Sequence, residues 1–530
     1  MTRGGRAAHG LALAACLLLV AGPFIALLCV TLQAVAAGHA DWLLLALPLG
    51  RRLGLLRQSL VLAACVSVGG VAIGTLAATV LWRWRTGPCG ALRWLVVLMA
   101  PVPPYLHALA WAGAASAVNA ALARVGLPGI RLEGWAGSVW VQTMALLPIA
   151  AGLALVGLES VENGLVEAAL VTQPPLQALR QVILPLAAPA ILAGAGLTFL
   201  LSLMDYSVPS LLGVSVYALE IFAEFSATNE PARALLLALP LVAVGLGVLG
   251  LAQSWLRQAA STRPARAAAP APAWPGWLRG LQGLALVLAG AQVLVPLLVQ
   301  GALAGVGGAL LQATVSARHE IGYTFGVALS VALLALPLAG ALAAELARSG
   351  GRARAAWLAV TLPLALPAPL AGIGLIAIWN RPGALGLYGS GWMPVLAALA
   401  RFTPLAAVAV LAQRRRLDPL LLDAGRVFER RPWQGWLLVR LPLLGPGLLA
   451  AGGLCFALAL GELGATLIVA PPGQATLAMR IYNLLHYGAS GQVAGLGLLM
   501  AGATLAGGLL AAAAWTGWGR LLPAVRGGQP

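Results

Sequence analysis

The chain has 530 residues, of which 61% are apolar and only 9% charged, against roughly 25% charged in an ordinary soluble domain. So few charges cannot cover a water-soluble globule of this size, whereas a chain that faces lipid needs an apolar exterior. The formal charge of +17 rests wholly on arginine, with no lysine, in short clusters between apolar runs; this pattern marks the cytoplasmic side of a membrane protein and excludes the basic, aromatic-interleaved stripes of a nucleic-acid binder.

A bilayer core of about 30 Å takes about 20 helical residues. In chain order the apolar runs predict twelve spans, near 10–31, 57–81, 92–115, 137–157, 185–204, 234–255, 280–303, 321–347, 355–379, 393–413, 442–461 and 493–515. The third is interrupted by Pro101, Pro103 and Pro104, and the ninth by Pro363, Pro367 and Pro369, which membrane helices tolerate better than soluble ones. Gly70 and Gly74 in the second form a small-xxx-small helix contact. The first run, after Arg3 and Arg6 and before Ala34-Val35-Ala36, outlasts the apolar stretch of about 7–15 residues in a secretory signal, so it reads as an uncleaved helix. With the N-terminus inside, most arginines fall in cytoplasmic segments, among them Arg83, Arg85 and Arg93, Arg348, Arg352 and Arg354, and Arg414, Arg415 and Arg416. Arg51, Arg52 and Arg57 are outer-side exceptions. Both termini are then cytoplasmic. Cys16, Cys29, Cys65 and Cys455 lie in apolar runs and Cys89 in a loop, with no disulfide framework.

The Ala- and Pro-rich stretch 257–278 divides the chain nearly in half and reads as a cytoplasmic linker. The halves align: Leu184-Pro185-Leu186-Ala187-Ala188-Pro189 matches Leu441-Pro442-Leu443-Leu444-Gly445-Pro446, and the same spacing runs on without a gap through Gly196 and Gly453, Phe199 and Phe456, and Asp205 and Glu462. Paired prolines, a paired glycine and a paired terminal carboxylate at one spacing indicate duplication. The fold expected is therefore all-α, a polytopic membrane protein of about twelve transmembrane helices in two parallel six-helix repeats. The repeats are 1–256 (core about 55–255) and 279–530 (core about 321–515). Parallel repeats related by an axis along the membrane normal enclose a path between them, as in transporters.

The fourth and fifth spans of each half are joined by a cytoplasmic loop. The first contains Glu167-Ala168-Ala169, Gln173-Pro174-Pro175 and Leu184-Pro185; the second contains Asp423-Ala424-Gly425, Glu429, Pro432-Trp433 and Leu441-Pro442. A carboxylate before small residues suits the first turn of a helix, mid-loop prolines stop that helix, and the later proline suits the first turn of the next. Each loop thus predicts a short helix on the cytoplasmic surface, with small side chains that let another protein approach.

In these loops the chain resembles the type I ABC importer permeases, whose cytoplasmic loop carries E-A-A, three residues, G, and later I-x-L-P. Two such loops in equivalent places strengthen the likeness, which covers nearly the whole chain except the linker. Gln173 and Glu429 stand at the family glycine, the first loop is one residue short before Pro185, and Asp423 and Gly425 replace the usual Glu and Ala. The resemblance implies the type I permease fold, in a bacterial inner membrane, with coupling helices docked in grooves of two ABC ATPase subunits and an extracytoplasmic substrate-binding protein outside. It carries Glu167, Ala168, Ala169, Gln173 and Pro185, with Asp423, Ala424, Gly425, Glu429 and Pro442, over as the coupling loops. A phosphate-binding P-loop needs a lysine, so ATP hydrolysis is expected on separate subunits, with no catalytic residue, cofactor or metal in this chain. A narrower resemblance, to the permeases of ferric-iron importers, rests on Gly461-Glu462-Leu463-Gly464-Ala465-Thr466, Pro471-Pro472-Gly473, Arg480-Ile481-Tyr482 and His486-Tyr487-Gly488, and makes ferric iron the favoured substrate. Thiamine, phosphonates and oxyanions such as sulfate or molybdate are the alternatives.

Charges inside or at the ends of spans are costly and usually face an interior. Asp205 and Glu462, at equivalent helix ends on the outer side, are expected to face each other across the path and contact a cationic or metal-bearing substrate, with Tyr206, Arg480 and Tyr482 as further candidates. Glu220, Glu224 and His486 lie in outer segments that dock the binding protein or line the path. Tyr482, Tyr487 and Trp392 read as interface anchors, Met204 and Met393 as packing residues, and His39 and His319 as isolated. An ion-coupled secondary transporter is the rival reading; it wants ionisable relays inside its spans, and these spans are almost free of them. A membrane-embedded enzyme has no reactive constellation to stand on.

Overall fold

In a bilayer no water serves the backbone, so each apolar run closes its own hydrogen bonds as a helix. The computed structural model describes residues 3–84, 87–259, 274–305, 308–348, 350–381, 383, 386–417, 420, 432–486 and 490–521, and among them no strand occurs. The first half runs α1 (Arg3–Ala36), α2 (Arg51–Arg83), α3 (Gly87–Leu98), α4 (Pro104–Arg124), α5 (Gly134–Glu159), α6 (Asn163–Thr172), α7 (Pro175–Ala178), α8 (Leu184–Met204), α9 (Ser207–Leu211), α10 (Tyr217–Thr228) and α11 (Pro231–Ala259). The second runs α12 (Gly276–Gly305), α13 (Ala309–Ser316), α14 (Arg318–Leu346), α15 (Gly351–Thr361), α16 (Ala368–Trp379), α17 (Met393–Arg416), α18 (Pro432–Gly435), α19 (Leu441–Leu460), α20 (Thr466–Val469), α21 (Leu477–His486) and α22 (Ser490–Leu521). Among the described residues eleven helices are long and apolar enough to cross a membrane, and a bent pair makes a twelfth. The chain is an all-α polytopic membrane protein.

The two proline clusters act where the sequence places them. α3 ends at Leu98 and α4 restarts at Pro104 behind Pro103, whose ψ of 139° is extended. α15 and α16 meet at a 110° bend, and Pro367 precedes Ala368 with a ψ of 138°. A residue before proline is pushed out of the helical region and proline itself donates no N–H, so both spans must break there.

Within each half three helices pack mutually: α2, α5 and α8 in the first, α14, α17 and α19 in the second. Gly74 is where α2 touches α5, since a Cβ there would lie 2.8 Å from the Ala151 nitrogen. α5 and α17 are the most enclosed spans of their halves.

The first helix of each half crosses to the other. α1 packs on α14, α16 and α17, with Cys16 and Val20 buried among Val327, Val331 and Leu342. α12 packs on α2, α3, α4 and α5; Gln282 Nε2 donates to Thr79 Oγ1 at 2.9 Å and Gln300 Nε2 to the Leu106 carbonyl at 3.2 Å. These amides satisfy polar groups that lipid would leave unpaired. The two halves are interlocked.

Candidate functional site

The surface helix of the first half is α6. It starts at Asn163 behind Glu162 and stops at Gln173, whose extended backbone (φ −140°, ψ 153°) is imposed by Pro174. Glu167 therefore sits in mid-helix and not in the first turn as expected, because the helix begins four residues earlier. Val166 packs inward with Leu158, Leu179 and Ile183, and Ala169 is buried as well. Glu167 and Ala168 are exposed, as are Leu165 at 48% and Val171 at 87%. Leu165, Ala168 and Val171, spaced three apart, share a face, so α6 turns an apolar ridge outward. Asp423, Ala424, Gly425 and Glu429 of the second loop lie outside the described residues.

Pro185 and Pro442 stand in the first turn of α8 and α19, as expected, but neither α-helix starts afresh from a loop there. Helical structure begins ten residues earlier, at Pro175 and Pro432, and each later proline follows a π turn, Leu179–Ile183 and Trp436–Arg440. A proline ring clashes with the carbonyl four residues back in a regular helix, and widening that turn relieves the clash.

Asp205 and Glu462 are both spoken for by protein donors. Asp205 Oδ2 accepts from Gln142 Nε2 at 2.9 Å and from the Val208 N–H at 3.3 Å; Oδ1 accepts from the Ser207 N–H at 3.0 Å and its hydroxyl at 2.6 Å. Ser202 in turn donates to Gln142 Oε1 at 2.6 Å. Glu462 accepts from the N–H groups of Ala465 and Thr466 at 2.9 and 2.8 Å, from the Thr466 hydroxyl, and from Arg401 Nη1. Each carboxylate thus satisfies the first N–H groups of the short helix after it, α9 or α20. Each is also held by the ninth residue of the enclosed helix, Gln142 of α5 or Arg401 of α17.

Sequence reasoning missed Gln142 and Arg401. The signal was there: Arg401 is a lone charge inside the tenth predicted span, an exception among spans almost free of ionisable groups, and Gln142 is a lone amide at the matching place.

The two constellations approach each other where the halves meet. Tyr206, 4% exposed and stacked on Phe222, lies within electrostatic reach of Asp205 and, from the other half, of Tyr482, Glu462 and Arg401. One apolar cluster joins Tyr105 and Leu211 to Leu463, Leu477 and Tyr482. A Cβ on Gly461 would run into Pro103, so the end of α19 sits on the α3–α4 break. Tyr482 therefore belongs to this junction and not to a membrane interface. Tyr487 lies outside the described residues, Trp392 is 52% exposed, Met393 is buried and Met204 packs near Gly245.

Arg480, the remaining path candidate, pairs with Glu320 at the start of α14. Its first-half counterpart is Glu220, also the fourth residue of its helix, which pairs with Arg51 at 2.8 Å. The charges are exchanged and the contact is kept. Beside each pair the first N–H of the short helix is also bound alike, Tyr217 to Ser59 Oγ at 2.9 Å and Leu477 to Thr324 Oγ1 at 2.7 Å. Glu224 pairs with Arg233 at 2.7 Å. The outer-side Arg51 is thus offset locally. Arg480→Ala is expected to cost more than Arg51→Ala, because Arg51 is 71% exposed and Arg480 only 29%. An exposed pair contributes at most about 1 kcal/mol. Unfolding midpoints of the two purified variants check the order.

No protein-family model matches the chain. It is 29% identical over 151 residues to the putative 2-aminoethylphosphonate transport system permease protein of Salmonella typhimurium, covering 28% of this chain and 57% of that relative. It is 36% identical over 141 residues to the molybdenum transport system permease protein of Mycobacterium tuberculosis (23% and 51%), and 31% over 120 residues to the probable sulfate transport system permease protein cysT of Anthoceros angustus (21% and 42%). The chain thus spans about half the length of the curated relatives it matches. In its membrane architecture and in these matches, the chain resembles the type I ABC importer permeases.

Proposed function

We propose that the chain is the membrane-spanning permease subunit of a binding-protein-dependent ABC importer, set in a bacterial inner membrane with both termini cytoplasmic. Two repeats, 1–256 and 279–530, joined by the linker 257–278, enclose the path. The first relative is about half as long as this chain, since the same 151 residues are 57% of it and 28% of this chain; two units in one chain fit that ratio. The offset of Pro442 from Pro185 also brings the two π turns and the two helix starts, Pro175 and Pro432, into register.

The observation that carries the reading is α6, with an apolar ridge of Leu165, Ala168 and Val171 turned outward beside Glu167. An exposed helix face of this kind calls for a partner, and the occupant proposed is an ABC ATPase subunit, with a second on the equivalent loop around Asp423. Substrate reaches the other side from a separate binding protein. The substrate class proposed is an anion, a phosphonate or an oxyanion, ahead of ferric iron. The relatives' names support it, and so does the saturation of both carboxylates by N–H and O–H donors, which leaves a metal cation little to bind.

Ala168→Arg and Val171→Asp test the coupling. Each is expected to cut ATP-driven uptake at least about tenfold, an expectation of the size set by a charge at an interface core, while the permease still reaches the membrane in normal amount. Uptake at the unaltered rate in both variants overturns the reading.

A further inference from the structure

Among the described residues at the junction of the halves, the second half sets a guanidinium, ion-paired with Glu462, where the first sets a neutral amide on Asp205. Arg401 lies inside a span, where a charge is costly unless it faces an interior or a cavity. Its side chain is 27% exposed although α17 is the most enclosed helix of its half, and one nitrogen goes to the buried Glu462. Its first-half counterpart, Gln142, is neutral and 1% exposed. The Tyr206 hydroxyl, across the junction, is buried and finds no hydrogen-bond partner among the described residues. A buried donor without an acceptor is expensive, and a passing anion is one group that would satisfy it. The oxygens of Asp205 and Glu462 already accept two donors each. What this junction offers to the path is donors.

We propose that Arg401 and the Tyr206 hydroxyl form an anion contact point in the path, with Glu462 positioning the guanidinium and leaving its remaining N–H donors to a tetrahedral oxyanion or phosphonate in transit. This rests on the anion reading above. Arginine suits the role because its planar fork offers several N–H donors at once to one anion, so that a carboxylate on one edge does not use them up. The single charge also sets a limit on binding strength: one such contact recognises an anion without trapping it, as passage requires.

The test measures uptake of labelled molybdate, sulfate and 2-aminoethylphosphonate by the full transporter with its partner subunits, and of ferric citrate as the contrast. Arg401→Gln is expected to raise the half-saturating concentration of the transported anion about tenfold, Arg401→Lys to keep it within about threefold, and Tyr206→Phe to raise it about threefold to tenfold. Rescue by lysine separates a charge that meets the anion from an arginine needed only for its shape. Unchanged uptake in Arg401→Gln, or an Arg401→Lys variant as impaired as Arg401→Gln, overturns the proposal. If Arg401→Gln fails to insert, Tyr206→Phe decides: normal uptake in that variant overturns it too. A wild-type transporter that moves iron and none of the three anions instead overturns the anion reading. Wild-type anion uptake that ignores Arg401 leaves that reading standing and removes only this contact.

Discussion

Glu462→Ala is expected to lower the stability of the folded protein by roughly 3–5 kcal/mol, the usual cost of removing one member of a buried ion pair. Glu462 is 5% exposed and holds four donors: the Arg401 guanidinium, two backbone N–H groups and the Thr466 hydroxyl. Alanine leaves the guanidinium with no counter-charge and uncovers the start of α20. Because the Arg401 side chain keeps 27% of its surface, the loss should fall toward the lower end of that range. Asp205→Ala at the matching place leaves a neutral amide, the Ser207 hydroxyl and backbone groups unpaired but no charge, so its cost is expected nearer about 1–3 kcal/mol. The measurement is the unfolding midpoint of each purified variant in detergent, together with the double variant Arg401→Gln/Glu462→Gln, which should lose less than its single variants combined. Equal and small effects at Asp205 and Glu462 would remove the ion pair from the account.

Gly374→Leu is expected to pry α1 from the second half. A Cβ at Gly374 would lie 2.3 Å from the Pro23 carbonyl oxygen and 2.7 Å from the Pro23 Cβ. The obstacle is backbone, which cannot rotate away as a side chain can, so the cost should reach or pass the upper end of the roughly 1–3 kcal/mol typical of overpacking. The native cysteines report the outcome. Cys16, on α1, is fully buried against α14 and α17 residues, whereas Cys29 on the same helix is exposed. Labelling with a small maleimide, read site by site by mass spectrometry, should show Cys16 becoming reactive in Gly374→Leu with Cys29 unchanged. A Cys16 that stays unreactive would mean that α1 is held by contacts other than this seam.

Much of the architecture was legible from apolar run lengths and proline positions. Eleven of the twelve runs correspond to spans, counting the bent pair as one, while the third, 92–115, is divided between the short α3 and the span α4; the breaks fell at Pro103 and Pro367 because proline chemistry is local. Other features depend on partners that a one-dimensional pattern does not name. The first helix is apolar on all sides, so its sequence tells that it is enclosed by lipid or protein but not that α14, α16 and α17 receive it. The π turns before Pro185 and Pro442 leave the apolar pattern unaltered, so those prolines read as helix starts. Of the candidate site, Asp205, Tyr206, Glu462 and Tyr482 were found from their places at span ends and in the loops beyond, and they do gather at one junction. Arg480 was found by the same route and belongs to a separate ion pair. Gln142 and Arg401 were missed because each is one polar residue in a long apolar window that averages it away.

The exchanged α1 sets a schedule for biogenesis. Translation proceeds at ~5–20 residues per second, and α14, the first of the second-half helices to receive Cys16 and Val20, begins at Arg318. The opening helix must therefore wait in the bilayer for ~15–60 s with its final seat unsynthesised. Lipid, or an insertion factor standing in for it, has to cover the α14-facing side of that helix during the interval, so the first segment to leave the ribosome completes its packing only after the second half has begun to enter the bilayer.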